Sequence, residues 1–186
     1  MAPEERREIV QDEIVQHLER GRAEFMASVA GVSASQAAIR PDPARWSVLD
    51  CVEHVTVVEE RFLGWLENAK KLDTPSADKE KEAGLLVRVA DRSTRAQAPE
   101  AVVPTGRFTT LEQALEQFNA NRNRSVQFAQ DRSGELYYLA AEHPRFGPMN
   151  GAEFLILITA HARRHAAQID EVRAALDKNQ EPGAKN

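Results

Sequence analysis

Cysteine occurs once, at Cys51, so the chain can form no internal disulfide and carries no mark of an oxidising compartment. Long apolar runs are missing as well: the strongest, residues 154–160, falls far short of the ~20 residues that span a bilayer. Glycine and proline, nine of each, are too few for a fibrous or low-complexity chain. Nor is there an excess of positive charge. The 24 basic side chains stand against 29 acidic ones, a formal charge of -5, which excludes broad attraction to nucleic-acid phosphate or to anionic lipid. The opening Met-Ala-Pro-Glu-Glu-Arg-Arg-Glu has no apolar stretch of the kind a signal peptide needs. These absences predict a cytoplasmic protein with no membrane and no nucleic acid among its partners.

What is present is the composition of a soluble globular chain, 42% apolar and 28% charged over 186 residues. That length suits one hydrophobic core, and we expect a single domain over residues 1–176 followed by a polar, disordered tail at 177–186. Val10, Ile14, Leu18, Phe25 and Val29 recur in steps of four and seven, which predicts an amphipathic helix over about residues 3–30, ending near Gly31. Ser47 followed by Asp50 reads as a capping box opening a second helix, which runs through Val55, Val58, Phe62 and Trp65 to about Lys70. Thr110 reads as the cap of a third, with Leu111, Leu115, Phe118, Val126 and Ala129 on its stripe. After a turn-rich stretch at 143–151, a fourth helix carries Phe154, Leu157, Ile158, His161, His165, Ile169 and Val172 at helical spacing. The link over 71–108 shows only a short helical candidate at 84–93. With no convincing strand and no repeat, the expected fold is all-α, a four-helix bundle with a long link between the second and third helices.

His161 and His165 lie four apart on a helix, about 40° from one another around its axis, so both imidazoles leave the same face one turn apart. That face is the apolar one, and buried imidazoles need either hydrogen-bond partners or an ion. His54, among Cys51, Val55 and Val58, also faces inward from a different helix. Three inward nitrogens suit zinc, nickel or iron and leave coordination positions open. Ala162 stands where a His-Glu-x-x-His protease needs glutamate, and no histidine follows a Glu by three as in a di-iron bundle, which excludes both chemistries. Other candidates line up around this set. Asp50 could accept a hydrogen bond from a site imidazole, or simply cap its helix. Gln168 could touch a bound ligand, and His143, before Pro144, could line the bundle mouth or make a local loop bond. Arg122 could bind an anionic substrate group, or snorkel out of its stripe. Cys51 reads chiefly as a small buried hydrophobe, and His17 as a partly exposed surface residue.

Trp46-Ser47-x-x-Asp50-x-x-Glu53-His54, His143-Pro-x-Phe146-Gly147-Pro148 and His161-x-x-Arg164-His165-x-x-Gln168-Ile169 together resemble the DinB-like superfamily. The likeness extends from about Ile9 to Leu176 and takes in Asp91-Arg92-Ser93 and Ala98-Pro99. The resemblance implies a bundle, often a homodimer, in which one histidine of the second helix and two of the last hold a divalent metal. It also implies a small-molecule substrate, with the metal activating a low-molecular-weight thiol for transfer. Metal-assisted hydrolysis and a non-catalytic, ligand-binding bundle are the alternatives. Hydrolysis needs a nearby proton acceptor, for which the sequence offers no unambiguous carboxylate.

Overall fold

The computed structural model describes the backbone of residues 3–180, Arg95 and Ser133 apart, and the side chains of residues 12–178 other than those two. Four long helices form the body: α1 (Pro3–Val29), α3 (Val48–Glu67), α5 (Leu111–Asp131) and α6 (Gly151–Gln180). A single turn, α2 (Ala34–Ala37), and a helix in the link, α4 (Lys79–Ala90), complete the helical elements. The side chain of Val10, expected on the buried face of α1, and residues 181–186 of the expected tail lie outside what is described, while α6 itself runs on to Gln180.

The ends of these helices follow from local chemistry. Gly31 takes φ 75 just beyond α1, a left-handed conformation that costs glycine least. Ser47 accepts the Asp50 amide and Asp50 accepts the Ser47 amide, closing the box at the start of α3. Thr110 accepts the Gln113 amide at the start of α5. At α6 the same reciprocity joins Asn150 and Glu153, each side chain accepting the other's backbone N–H.

The order of the helices in space is not a simple up-and-down one. Arg163 pairs with Glu24 and Arg173 donates to the Ser28 carbonyl, so α1 and α6 run parallel. Phe25 packs against Phe118 while Arg122 reaches Leu18, which makes α5 antiparallel to α1. His54 meets His161 and Phe62 meets Phe154, so α3 is antiparallel to α6 and parallel to α5. The path is up, down, down, up, with α1 and α3 at opposite corners, and α5 and α6 likewise. Two successive parallel helices require a return across the length of the bundle, and the long link provides it. Lys81 pairs with Glu153 and Arg92 with Glu171, so α4 lies along α6 in the same direction. The chain then crosses the end of the bundle where α3 and α5 begin.

Among the described residues, three short strands correct the expectation of none. Residues 143–151 are not a bare turn: β2 (Leu139–His143) and β3 (Gly147–Asn150) pair antiparallel, with Pro144, Arg145 and Phe146 as the loop and Gly147 at φ 69. β1 (Lys70–Lys71) adds to the outer edge of β2. Few residues alternate here and Pro148 interrupts the pattern, so neither period is readable.

The core has two apolar clusters. One gathers Leu18, Phe62, Leu66, Leu136, Phe154 and Leu155, the other Phe25, Val52, Val55, Phe118, Ala162 and Ile169. Between them lies a buried polar layer of Thr56, Glu59, Asn121, Arg122, Ser125 and Thr159. Gly21 makes room for it, since a Cβ there would sit 3.0 Å from the Thr159 methyl and 3.4 Å from an Arg122 nitrogen. Arg122 is therefore neither a snorkelling surface residue nor a substrate ligand: it is fully buried and bound by Glu59.

Candidate functional site

Near the end of the bundle that the link crosses, α3 and α6 bring His54, His161 and His165 together. The His161 Nε2 lies 3.1 Å from the Nε2 of His54 and 3.2 Å from that of His165. His54 and His165 are buried, and His161 keeps partial exposure. Among the described residues these three form the one group of histidine, cysteine and carboxylate side chains whose donor atoms converge as a metal site requires. Trp46, from the turn before α3, packs on the rings of His54 and His165 at 4.8 and 6.1 Å between centroids.

The ring of His54 has its orientation fixed from behind. Its Nδ1 lies 2.7 Å from the carbonyl oxygen of Val102, in the short helical turn Glu100–Val102 of the link. A carbonyl only accepts, so Nδ1 carries the proton and the Nε2 lone pair faces the cluster. His161 can then place one Nε2–H toward one neighbour at most, leaving the remaining lone pairs facing each other. The Nδ1 of His165 is buried and has no partner among the described residues. The arrangement is poorly satisfied as a hydrogen-bonded cluster of neutral rings.

All three imidazoles titrate below the ordinary histidine range. Burial dominates at each; at His161 the charges of His54, Arg164 and His143 add to it, and at His165 those of His161, His54 and Arg92. The rings are therefore in the neutral, ligand-competent form. A depressed histidine is neutral in the folded protein while its unfolded counterpart gains a proton below about pH 6.5, so stability is present above that value and lost as pH falls. We predict that chelator-treated protein loses up to about 1.4 kcal/mol per pH unit for each such ring between pH 7 and 5. Urea titrations check this, and a variant with His161→Leu and His165→Leu should show a flatter profile.

The remaining candidates divide. His143, the last residue of β2, packs against Phe62, Phe146 and Trp65, and its charged form would depress His161. Its Nδ1 accepts the amides of Arg145 and Phe146, the local bond anticipated, which places the ring proton on Nε2. Gln168 accepts from Arg92 at 3.2 Å and sits at the rim beside the Arg92–Glu171 pair. Asp50 is corrected: Arg40 engages both its oxygens and Ser47 takes the cap bond, so it does not serve an imidazole. Val102 plays that part. Cys51 is fully buried, its thiol pushed up to about 12 chiefly by burial, and does not join the cluster. His17 stands apart on α1, partly buried.

Sequence reasoning missed Val102, and it gave no role to Trp46, Arg92 or Arg164, which stand in the motifs that carry the family resemblance. Arg164 donates to the carbonyls of Val89, Asp91 and Thr94, holding the link against α6. Its place between two inward histidines was the available signal. Val102 had none, because it acts through its backbone.

Comparison with known proteins agrees with this architecture. YuaE of Bacillus subtilis (strain 168), itself uncharacterised, is 22% identical over 157 residues, covering 84% of this chain and 95% of that protein. The structure of YfiT from Bacillus subtilis, described as "a probable metal-dependent hydrolase with an unusual four-helix bundle topology", is similar with a TM-score of 0.53. The identity is 16%, and 90% of this chain and 87% of that one are covered. At that identity the likeness is one of fold. No helix among the described residues is long and apolar enough to cross a membrane. The model of the DinB superfamily matches residues 17–169, a span that holds all three clustered histidines, and the chain belongs to that superfamily.

Proposed function

We propose that His54, His161 and His165 hold a divalent ion, zinc, nickel or iron, through their Nε2 atoms, and that the protein is a metal-dependent transferase acting with a low-molecular-weight thiol. The observation that carries the metal reading is the convergence of three neutral nitrogens at 3.1 and 3.2 Å. A tetrahedral zinc with bonds of ~2.0–2.1 Å would set its nitrogens about 3.3 Å apart. Three protein ligands and a partly exposed His161 leave room for a substrate atom. The ion, when bound, favours the deprotonated form of a thiol that reaches it.

The protein's own groups suit that chemistry. Arg92 and Arg164 place positive charge beside His165, which favours an anionic sulfur there. The Nε2–H of His143 faces no partner in its loop and is positioned to donate to a substrate group near His161. The cluster contains no carboxylate, and Asp50 and Glu53, its neighbours on α3, are engaged by Arg40 and Thr105. This ranks hydrolysis, the reading attached to YfiT, below thiol transfer. A small-molecule substrate, a homodimer and a cytoplasmic location complete the proposal, supported by the superfamily and by composition.

Metal analysis of untagged protein tests the site. The parent should carry close to one first-row ion per chain, and a folded variant with His54→Ala and His161→Ala should carry none. A parent that takes up no zinc, nickel or iron on incubation with each would overturn the proposal. With the ion in place, turnover of thiol plus an electrophile should disappear in His161→Ala, whereas turnover of esters or amides alone would favour the hydrolase.

A further inference from the structure

Glu53 is 3% exposed, immediately precedes His54 on α3, and takes no part in capping that helix, while the Arg107 guanidinium lies near enough to feel its charge. Its Oε1 accepts the backbone N–H of Thr105 at 2.6 Å, with the Thr105 hydroxyl 3.4 Å away. The carbonyl that fixes His54 belongs to Val102, in the same stretch of link. Two consecutive residues of α3 thus grip one short segment, Glu53 at Thr105 and His54 at Val102. The other anchors of the link are less suited to set this register. Arg164 acts on residues 89–94, and the Arg107–Glu60 pair lies at the surface, its side chains 42% and 39% exposed.

We propose that Glu53 is a positioning residue for the three-histidine site: its clasp on Thr105 seats the link so that the Val102 carbonyl holds His54 with Nδ1 protonated and Nε2 facing His161 and His165. A buried carboxylate accepting a backbone amide makes a strong, charge-assisted bond, which gives the clasp its stiffness. Partners of this kind, one step removed from an ion, change metal affinity by about 10–100-fold when lost. The effect on metal affinity rests on the proposed metal site; the effect on the His54 tautomer does not.

The test uses the full chain with Glu53→Gln, Glu53→Ala and Thr105→Pro, which deletes the amide that Glu53 accepts. Long-range proton–nitrogen NMR of the chelator-treated protein reads the tautomer. His54 should be a single Nδ1–H form in the parent and in Glu53→Gln, whose carbonyl still accepts from Thr105, and a mixture in the other two. Cobalt titration, read by its visible absorption, should show affinity lowered about 10–100-fold in Glu53→Ala and Thr105→Pro and restored in Glu53→Gln. A folded Glu53→Ala protein with the parent's tautomer and cobalt affinity overturns the inference. Should that variant fail to fold, Thr105→Pro, outside every helix, decides in the same terms. A parent that binds no cobalt would sink the metal reading, and the tautomer comparison would still decide the role of Glu53.

Discussion

Replacing Glu59 with alanine should destabilise the protein by about 3–5 kcal/mol, the usual cost of stranding one member of a buried ion pair. Arg122 is wholly inside the bundle, its Nε and Nη2 donating to the two Glu59 oxygens at 2.8 and 3.0 Å, its Nη1 to the Leu18 carbonyl at 2.6 Å. Ser125 donates to the same carboxylate at 2.7 Å, and Phe118 lies under the guanidinium. Without Glu59 the charge keeps one carbonyl and an aromatic face, too little to replace its hydration. Because α1, α3 and α5 all contribute to this layer, its loss also frees α3 to shift. For a chain of this size the midpoint should fall by roughly 2–4 °C per kcal/mol, which thermal melts will show beside urea curves. The double change Glu59→Leu with Arg122→Met removes both charges and should come within about 1 kcal/mol of the parent or exceed it. A single variant as stable as the parent would mean that water reaches the guanidinium, and the layer would then lose its role in fixing helix register.

The histidines were legible in the sequence because metal-type side chains on apolar stripes are anomalous, and two of them four apart on a helix share a face. The caps at Ser47 and Thr110 were legible for a similar reason, since each satisfies orphan amides within a few residues. The direction of α5 was not. Amphipathicity tells which face of a helix is buried and says nothing of which neighbour it meets, so up-down-down-up order appeared only with the Arg122 and Phe118 contacts. The pairing of Arg122 had a signal that went unused: Glu59 is an acid beside Val58 on an apolar stripe, as Arg122 is a base on another. Val102 shows the harder limit. A backbone carbonyl carries no residue type, and only the path of the link brings it to His54.

The histidine cluster should also reverse the usual relation between polar burial and stability, depending on whether an ion is present. With a divalent ion at about 1,000 times its dissociation constant, the parent should gain roughly 4 kcal/mol, a rise of about 8–16 °C in melting midpoint, which chelation removes. His165→Leu should abolish that response, yet in chelator the variant should be more stable than the parent by about 1–2 kcal/mol. The reason lies in the ring geometry: the His165 Nδ1 is buried with no partner among the described residues, and its Nε2 faces that of His161 at 3.2 Å with at most one proton between several lone pairs. A leucine removes both defects and extends the apolar cluster of Ala162, Ala166 and Ile169. Differential scanning calorimetry of both proteins, with zinc and with chelator, gives the four midpoints needed. If the leucine variant melts below the chelated parent, the three rings are mutually satisfied as they stand and hold the helices together without an ion. If it melts above, the cluster is strained in favour of a ligand, as a binding site is and a structural core is not.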